Sequence, residues 1–259
     1  MAFLGVERRD RIAVLTLDDP DRRNAMSGAM VKEMTAAFDE LETDAEIGAA
    51  VITGAPPAFC SGADRADLAT GVHDVRSIYE GFLRVRRSSL PTVAAVNGPA
   101  VGAGCNLALA CDVRLASPAA RFDPRFLKLG LHPGGGHTWM LERLGGPQTA
   151  AAMVLFDEVL EGEQAATRGL AWRCVPEGAL VDEAVALAGR AADAPGELVA
   201  RIKDTLGHLA WMESFDDAVA AELDAQQWSF GQPWRHTEPS APKRKSRTGD
   251  GSGISDPPT

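Results

Sequence analysis

Two glycine turns hold the residues best placed for chemistry. In Gly98 to Asp112, GPAVGAGCNLALACD, a glycine-rich turn runs straight into an apolar helix. The first amides of a helix lack intrahelical acceptors, and Gly102 and Gly104 clear the approach to the backbone. The helix dipole adds a preference for negative charge, so an anion, or an oxygen becoming one, is expected near Ala103. That is half of an oxyanion hole. The other half is expected from Phe59-Cys60-Ser61-Gly62-Ala63-Asp64, a second strand-to-glycine junction after the apolar run Ala49 to Thr53. A further glycine-rich loop, Ala120 to His137, supplies Asp123, Arg125, His132 and His137 and opens on another helix.

The elements that must position these turns follow from hydrophobic period. Phe3 to Arg8 and Arg11 to Leu17 are expected to form a hairpin turning near Asp10. Ser27 is a suitable N-cap for a helix with Val31, Met34, Phe38 and Leu41 on one face, fading near Thr43 and Asp44. Ala49 to Thr53, Thr92 to Val96 and Asp112 to Ala116 read as short buried strands. A charged helix from Ser77 to Arg87 and an apolar one from Cys105 to Ala110 alternate with them. After Thr138 to Leu144 the chain turns helical and alanine-rich: Gln148 to Phe156, Glu163 to Leu170, Ala179 to Asp193, Glu197 to Leu209 and Ser214 to Phe230. Strands alternating with helices, with the turns of interest at strand ends, define an α/β class. Residues 1–195 are expected to form the core and 196–231 a C-terminal helical region. Residues 232–259, rich in Pro, Ser, Lys, Arg and Gly without periodicity, are expected to form a disordered tail. Its PKRKSR cluster reads as a solvated charge run.

Composition narrows the function classes. With 259 residues and 45% apolar content, the chain can bury a substantial core. A net charge of −10 argues against a general nucleic-acid surface. No apolar run is long enough for a membrane span and the N-terminus lacks a signal-peptide pattern, so a cytoplasmic protein is expected. Cys60, Cys105, Cys111 and Cys174 lack ligand or CxxC spacing and suit reduced thiols, so no metal is expected.

Four motifs in this order resemble the crotonase, or enoyl-CoA hydratase/isomerase, family. Arg22-Arg23-Asn24-Ala25-Met26 is similar to its RRNAL element and Ala58 to Asp64 to its AFCAGAD. Ala95 to Asp112 is similar to AVNGPALGGGxELALACD, and Gly130 to Gly136 to GLxPGxG. The resemblance covers about residues 1–230. It implies a spiral of ββα repeats followed by a helical C-terminal oligomerisation region, forming a homotrimer or a dimer of trimers. It also implies a lyase or isomerase of acyl-CoA thioesters, in lipid or secondary metabolism, with coenzyme A belonging to the substrate and no separate cofactor.

On this resemblance the thioester oxygen sits between the amides of Ala63 and Ala103, which stabilise a forming enolate. Ala63, Asp64, Arg65 and Ala66 line the CoA and thioester region. Arg22 or Arg23 faces the CoA phosphates or is ordinary surface charge, and Asp64 caps the glycine bend or touches substrate. The family's two hydratase glutamates fall at Asn106 and Phe126. Asn106 can hydrogen-bond a water or carbonyl, Phe126 can only pack, and neither exchanges a proton at neutral pH. His132, with an unperturbed pKa of about 6.5, is the first candidate for a replacement base, with a loop-fixing role as its alternative. Asp123 is the second, with turn capping beside Arg125 as its alternative. His137 and Trp139 are read as packing residues. The acyl pocket's depth depends on Tyr79, Phe82 and the second loop. An acyl-CoA enzyme with non-standard acid/base groups and an acyl-CoA-binding chain without catalysis both fit these residues.

Overall fold

The computed structural model of the chain describes residues 2–64 and 75–236. Arg65 and Ala66, and residues 237–259 of the expected tail, lie outside the described residues.

Strands β1 (Leu4–Arg9) and β2 (Ile12–Leu17) form the expected hairpin, turning at Asp10. Helix α1 (Gly28–Thr43) starts at Ser27, whose hydroxyl accepts from the Met30 amide at 3.3 Å, and leads to β3 (Ala49–Gly54). Next come α2 (Val75–Arg86), β4 (Thr92–Val96), β5 (Pro99–Val101), α3 (Ala103–Ala110), β6 (Val113–Ala116) and β7 (Arg121–Asp123). Helix α4 (His137–Leu155) kinks at Gly146, before Pro147, where the sequence suggests two separate helices. The remainder is β8 (Leu160–Glu161), α5 (Gly162–Thr167), β9 (Arg173–Cys174), α6 (Leu180–Ala192), α7 (Gly196–His208) and α8 (Phe215–Phe230).

The larger sheet has the order β1-β2-β3-β4-β6-β9 and is parallel from β2 onward. Every residue of β3 and β4 is buried, as continuous apolar runs require when helices cover both faces. The faces alternate along each strand. Val14, Val51 and Ala95 pack against Leu180, Ala184 and Ala188 of α6. Leu15, Ile52 and Ala94 belong to the larger core with Met30, Met34 and Phe38 of α1 and Phe82 of α2. A smaller sheet, β5-β7-β8, carries the turn into α3. Strands of two or three residues such as β7, β8 and β9 are too short to show a period, and the sequence reading misses them.

Specific side-chain contacts attach the C-terminal helices. Lys203 of α7 donates to the Leu90 carbonyl at 2.6 Å and pairs with Asp112 at 2.7 Å. Arg201 lies 4.1 Å over the Trp228 ring of α8. The segment expected to be tail from 232 instead opens with a 3-10 turn, Pro233–His236, in which Trp234 stands edge-on to Trp228.

One side chain ties the loop before α1 to the end of β3. Asn24 is fully buried at φ 58, a conformation asparagine tolerates better than most residues. Its Oδ1 accepts from the Asp19 amide at 2.9 Å, and its Nδ2 donates to the Ala55 and Ala58 carbonyls at 2.8 Å each. Asn24→Ala strands buried carbonyls and is expected to cost roughly 1–3 kcal/mol. Urea unfolding checks this, with a lower midpoint and an unchanged m-value.

Candidate active site

The glycine turns expected to cooperate are joined through their backbones. Phe59 and Cys60 both donate to the Pro99 carbonyl at 3.1 Å, and Val101 donates to the Cys60 carbonyl at 2.9 Å. In each turn a glycine of positive φ immediately precedes the expected donor: Gly62 at 101° before Ala63, and Gly102 at 50° before Ala103. A Cβ on Gly62 would lie 2.8 Å from the Val101 carbonyl oxygen and 3.7 Å from the Ala103 nitrogen, so the turns touch. A Cβ on Gly104 would lie 2.1 Å from the Cys60 carbonyl oxygen, which excludes any side chain there.

The neighbouring amides are used and the two donors are left over. Met26 donates to the Gly62 carbonyl and Asp64 to the Met26 carbonyl, while Gly102 donates to the Asp123 carbonyl at 2.9 Å. Among the described residues, the Ala63 and Ala103 amides have no acceptor. Ala103 is the first residue of α3, where an unsatisfied N–H is expected.

Beyond these turns, Asn106 and Phe126 meet at a residue that the sequence reading assigns to packing. Asn106 lies one turn after Ala103, and its Nδ2 donates to the Gly134 carbonyl at 3.0 Å. Its Oδ1 lies 2.6 Å from Nδ1 of His137, the first residue of α4. Phe126, half-buried, stands edge-on to that imidazole with ring centroids 5.1 Å apart. An amide oxygen only accepts, so Nδ1 carries the proton. Burial pushes the His137 pKa down from 6.5 to about 4. The ring is therefore neutral at pH 7, with the lone pair on Nε2. That atom is buried without a hydrogen-bond partner.

Charged side chains surround a cavity of about 960 Å³ lined by Ala63, Asp64, Arg22, Arg23, Asp123 and Arg125, among others. Arg22 is taken up by Asp19 at 2.7 Å and Asp64 at 3.1 Å. Arg23 and Arg121 line the cavity without an ion pair to a described residue. Asp123 is buried, with Oδ2 held by Arg125 and Oδ1 without a hydrogen-bond partner. His132 is exposed on the loop, its Nδ1 2.7 Å from the Pro133 carbonyl. Burial pushes the Cys60 thiol up to about 11 and the Cys105 thiol up to about 12, so both stay protonated. Among the described residues no His, Cys, Asp and Glu cluster could hold a metal ion, and no helix is long and apolar enough to cross a membrane.

The structure thus brings together Ala63, Ala103, Asn106 and Phe126, and places Asp123, Arg22 and Arg23 along the cavity. The sequence reading takes His137 as a packing residue, and the structure adds its hydrogen bond to Asn106. Its signal is a histidine directly after three glycines, where the backbone runs close to other groups.

The enoyl-CoA hydratase/isomerase family model matches residues 7–239, and the chain belongs to that family of enzymes. It is 49% identical over 210 residues to the probable enoyl-CoA hydratase EchA14 of Mycobacterium tuberculosis, covering 79% of this chain and 81% of that protein. The 2,3-dehydroadipyl-CoA hydratase of Escherichia coli is 38% identical over 197 residues, covering 74% and 76%. A crystal structure of a candidate enoyl-CoA hydratase from Thermobifida fusca in complex with CoA superposes with a TM-score of 0.79 at 30% identity, covering 88% and 93%.

The neutral His137 makes stability depend on pH with a definite sign. Its folded-state pKa is depressed, so between pH 6.5 and 4 the unfolded chain binds a proton that the folded chain does not. Stability is complete above that window and is lost as pH falls through it. His137→Gln is expected to flatten this acid limb by about one proton, measured as urea unfolding free energies across a pH series.

Proposed function

We propose that this chain is an acyl-CoA enzyme whose Ala63 and Ala103 amides hold the thioester oxygen and stabilise an enolate as it forms. Two leftover amides in contacting glycine turns, beside a cavity of about 960 Å³, carry this reading. Such preorganised donors act where charge develops and need no reorganisation during the reaction. The CoA complex of the Thermobifida fusca relative supports CoA entering as part of the substrate. Arg23 and Arg121, which pair with no described carboxylate, are the arginines we assign to its phosphates, while Arg22 is committed to Asp19 and Asp64. Asp64 then holds the turn through Arg22 rather than through substrate.

Simple hydration is disfavoured in this reading, because Asn106 and Phe126 cannot move the two protons that adding water requires. Of the acid/base groups expected from the sequence, Asp123 lines the cavity with one buried oxygen unpartnered, whereas His132 lies on the exposed loop. A trimer or dimer of trimers is the assembly we assign, supported by apolar side chains exposed on the C-terminal part, including Trp211, Phe215 and Phe230. The site's uncharged inner residues also fit a second reading, an acyl-CoA-binding chain without catalysis.

One experiment separates the two. Ala103 occupies the first position of α3, where proline is accommodated and removes only an unused N–H. In D₂O the parent chain is expected to exchange the α-protons of butyryl-CoA for deuterium, followed by mass spectrometry. Ala103→Pro is expected to slow this by about 10²–10³ while remaining folded. Binding without exchange in the parent supports the non-catalytic reading.

A further inference from the structure

Resting on the enolate reading above, we propose that Nε2 of His137 is the base that takes the α-proton of the bound acyl group, with Asn106 as the positioning residue that holds the ring. Asn106 shares α3 with Ala103, one turn further on, where residues three apart lie on the same face. It faces His137 through a 2.6 Å bond and is itself oriented by the Gly134 carbonyl. Both contacts fix the ring with Nδ1 toward Asn106, which leaves the opposite nitrogen as an acceptor. His137 is 1% exposed, and Nε2 has no partner. Buried polar atoms without partners are rare enough to need a reason, and a substrate proton is one.

Among the other titratable groups near the turns, Asp123 keeps one buried oxygen without a partner and is the rival that the test below separates from His137. Asp64 pairs with Arg22, Oδ2 of Asp123 pairs with Arg125, the Cys60 and Cys105 thiols are protonated, and His132 is exposed. A neutral base also suits the chemistry. As the Cα–H bond breaks, its electron pair enters the bond between Cα and the thioester carbon, and the carbonyl oxygen becomes the oxyanion held by Ala63 and Ala103. The proton passes to Nε2, so the ring becomes a cation as the anion forms, and the two charges attract in a buried site. Return of a proton from Nε2 to Cα restores both groups. After exchange with solvent, that proton is a deuteron. Phe126 packs edge-on to the ring, with centroids 5.1 Å apart.

The test uses the full chain, butyryl-CoA in D₂O, mass spectrometry for exchange and calorimetry for binding. His137→Gln keeps a polar side chain toward Asn106 but cannot take a proton. It is expected to slow exchange by about 10²–10⁴ with butyryl-CoA affinity little changed. In His137→Ala, imidazole added to the buffer is expected to restore part of the exchange, rising with the concentration of its free base, a response that a merely structural histidine does not give. Exchange retained in His137→Gln while Ala103→Pro abolishes it overturns the base assignment and leaves the hole intact. Loss of exchange in Asp123→Asn with retention in His137→Gln transfers the role to Asp123. Loss of butyryl-CoA binding together with exchange in His137→Gln, with no imidazole rescue of His137→Ala, makes the residue structural and also overturns the proposal. Absence of exchange in the parent chain overturns both this assignment and the enolate reading.

Discussion

The site depends on the backbone pairing between the Cys60 turn and β5. Two amide donors from distant parts of the chain can aim at one oxygen only if the segments carrying them are fixed to each other. Here the Pro99 and Cys60 carbonyls do the fixing, and the absence of a side chain at Gly104 lets the segments close. Asn24 braces the same region from behind by holding the Ala55 and Ala58 carbonyls. These bonds form when the chain folds, so the donors are already in place before a ligand arrives.

Around this frame the polar groups divide by charge. Arginines and aspartates surround the cavity: Arg22 with Asp19 and Asp64, and Arg125 with Asp123. Beyond Ala103 the cluster of Asn106, His137 and Phe126 brings together an amide, a neutral imidazole and a phenyl ring. A charge that develops in such surroundings is poorly screened, so it interacts strongly with the few dipoles pointed at it. The same lack of screening explains why the His137 ring gives up its proton: burial without a carboxylate partner penalises the cation.

Much of the scaffold was legible from the chain because its main elements have strong periods. The hairpin, the Ser27 cap and the buried runs at 49–53 and 92–96 follow from alternation, capping chemistry and apolar length. The glycine turns could be located as well, since glycine before a helix has few other uses. The small sheet could not be, because β7 and β8 owe their conformation to partners far along the chain rather than to their own residues. The same limit applies to His137. Its position at a helix start suggests packing, and only the fold shows that Asn106, 31 positions earlier, is its partner. His132 has the more suggestive loop setting in sequence, yet its bond is to the adjacent carbonyl. Local pattern cannot rank two histidines whose difference lies in long-range contacts.

The hole proposed at Ala63 and Ala103 is built from main-chain atoms, and this bears on how such a chain can change over generations. No side chain supplies either donor, so most substitutions around the hole leave its donors in place, provided Gly62, Gly102 and Gly104 stay as they are. The candidate groups for moving protons, by contrast, are ordinary side chains: Asp123 at the end of β7, His132 in the loop that follows and His137 at the start of α4. A frame of this kind lets one part of the chemistry be inherited unchanged while the other is rewritten one residue at a time.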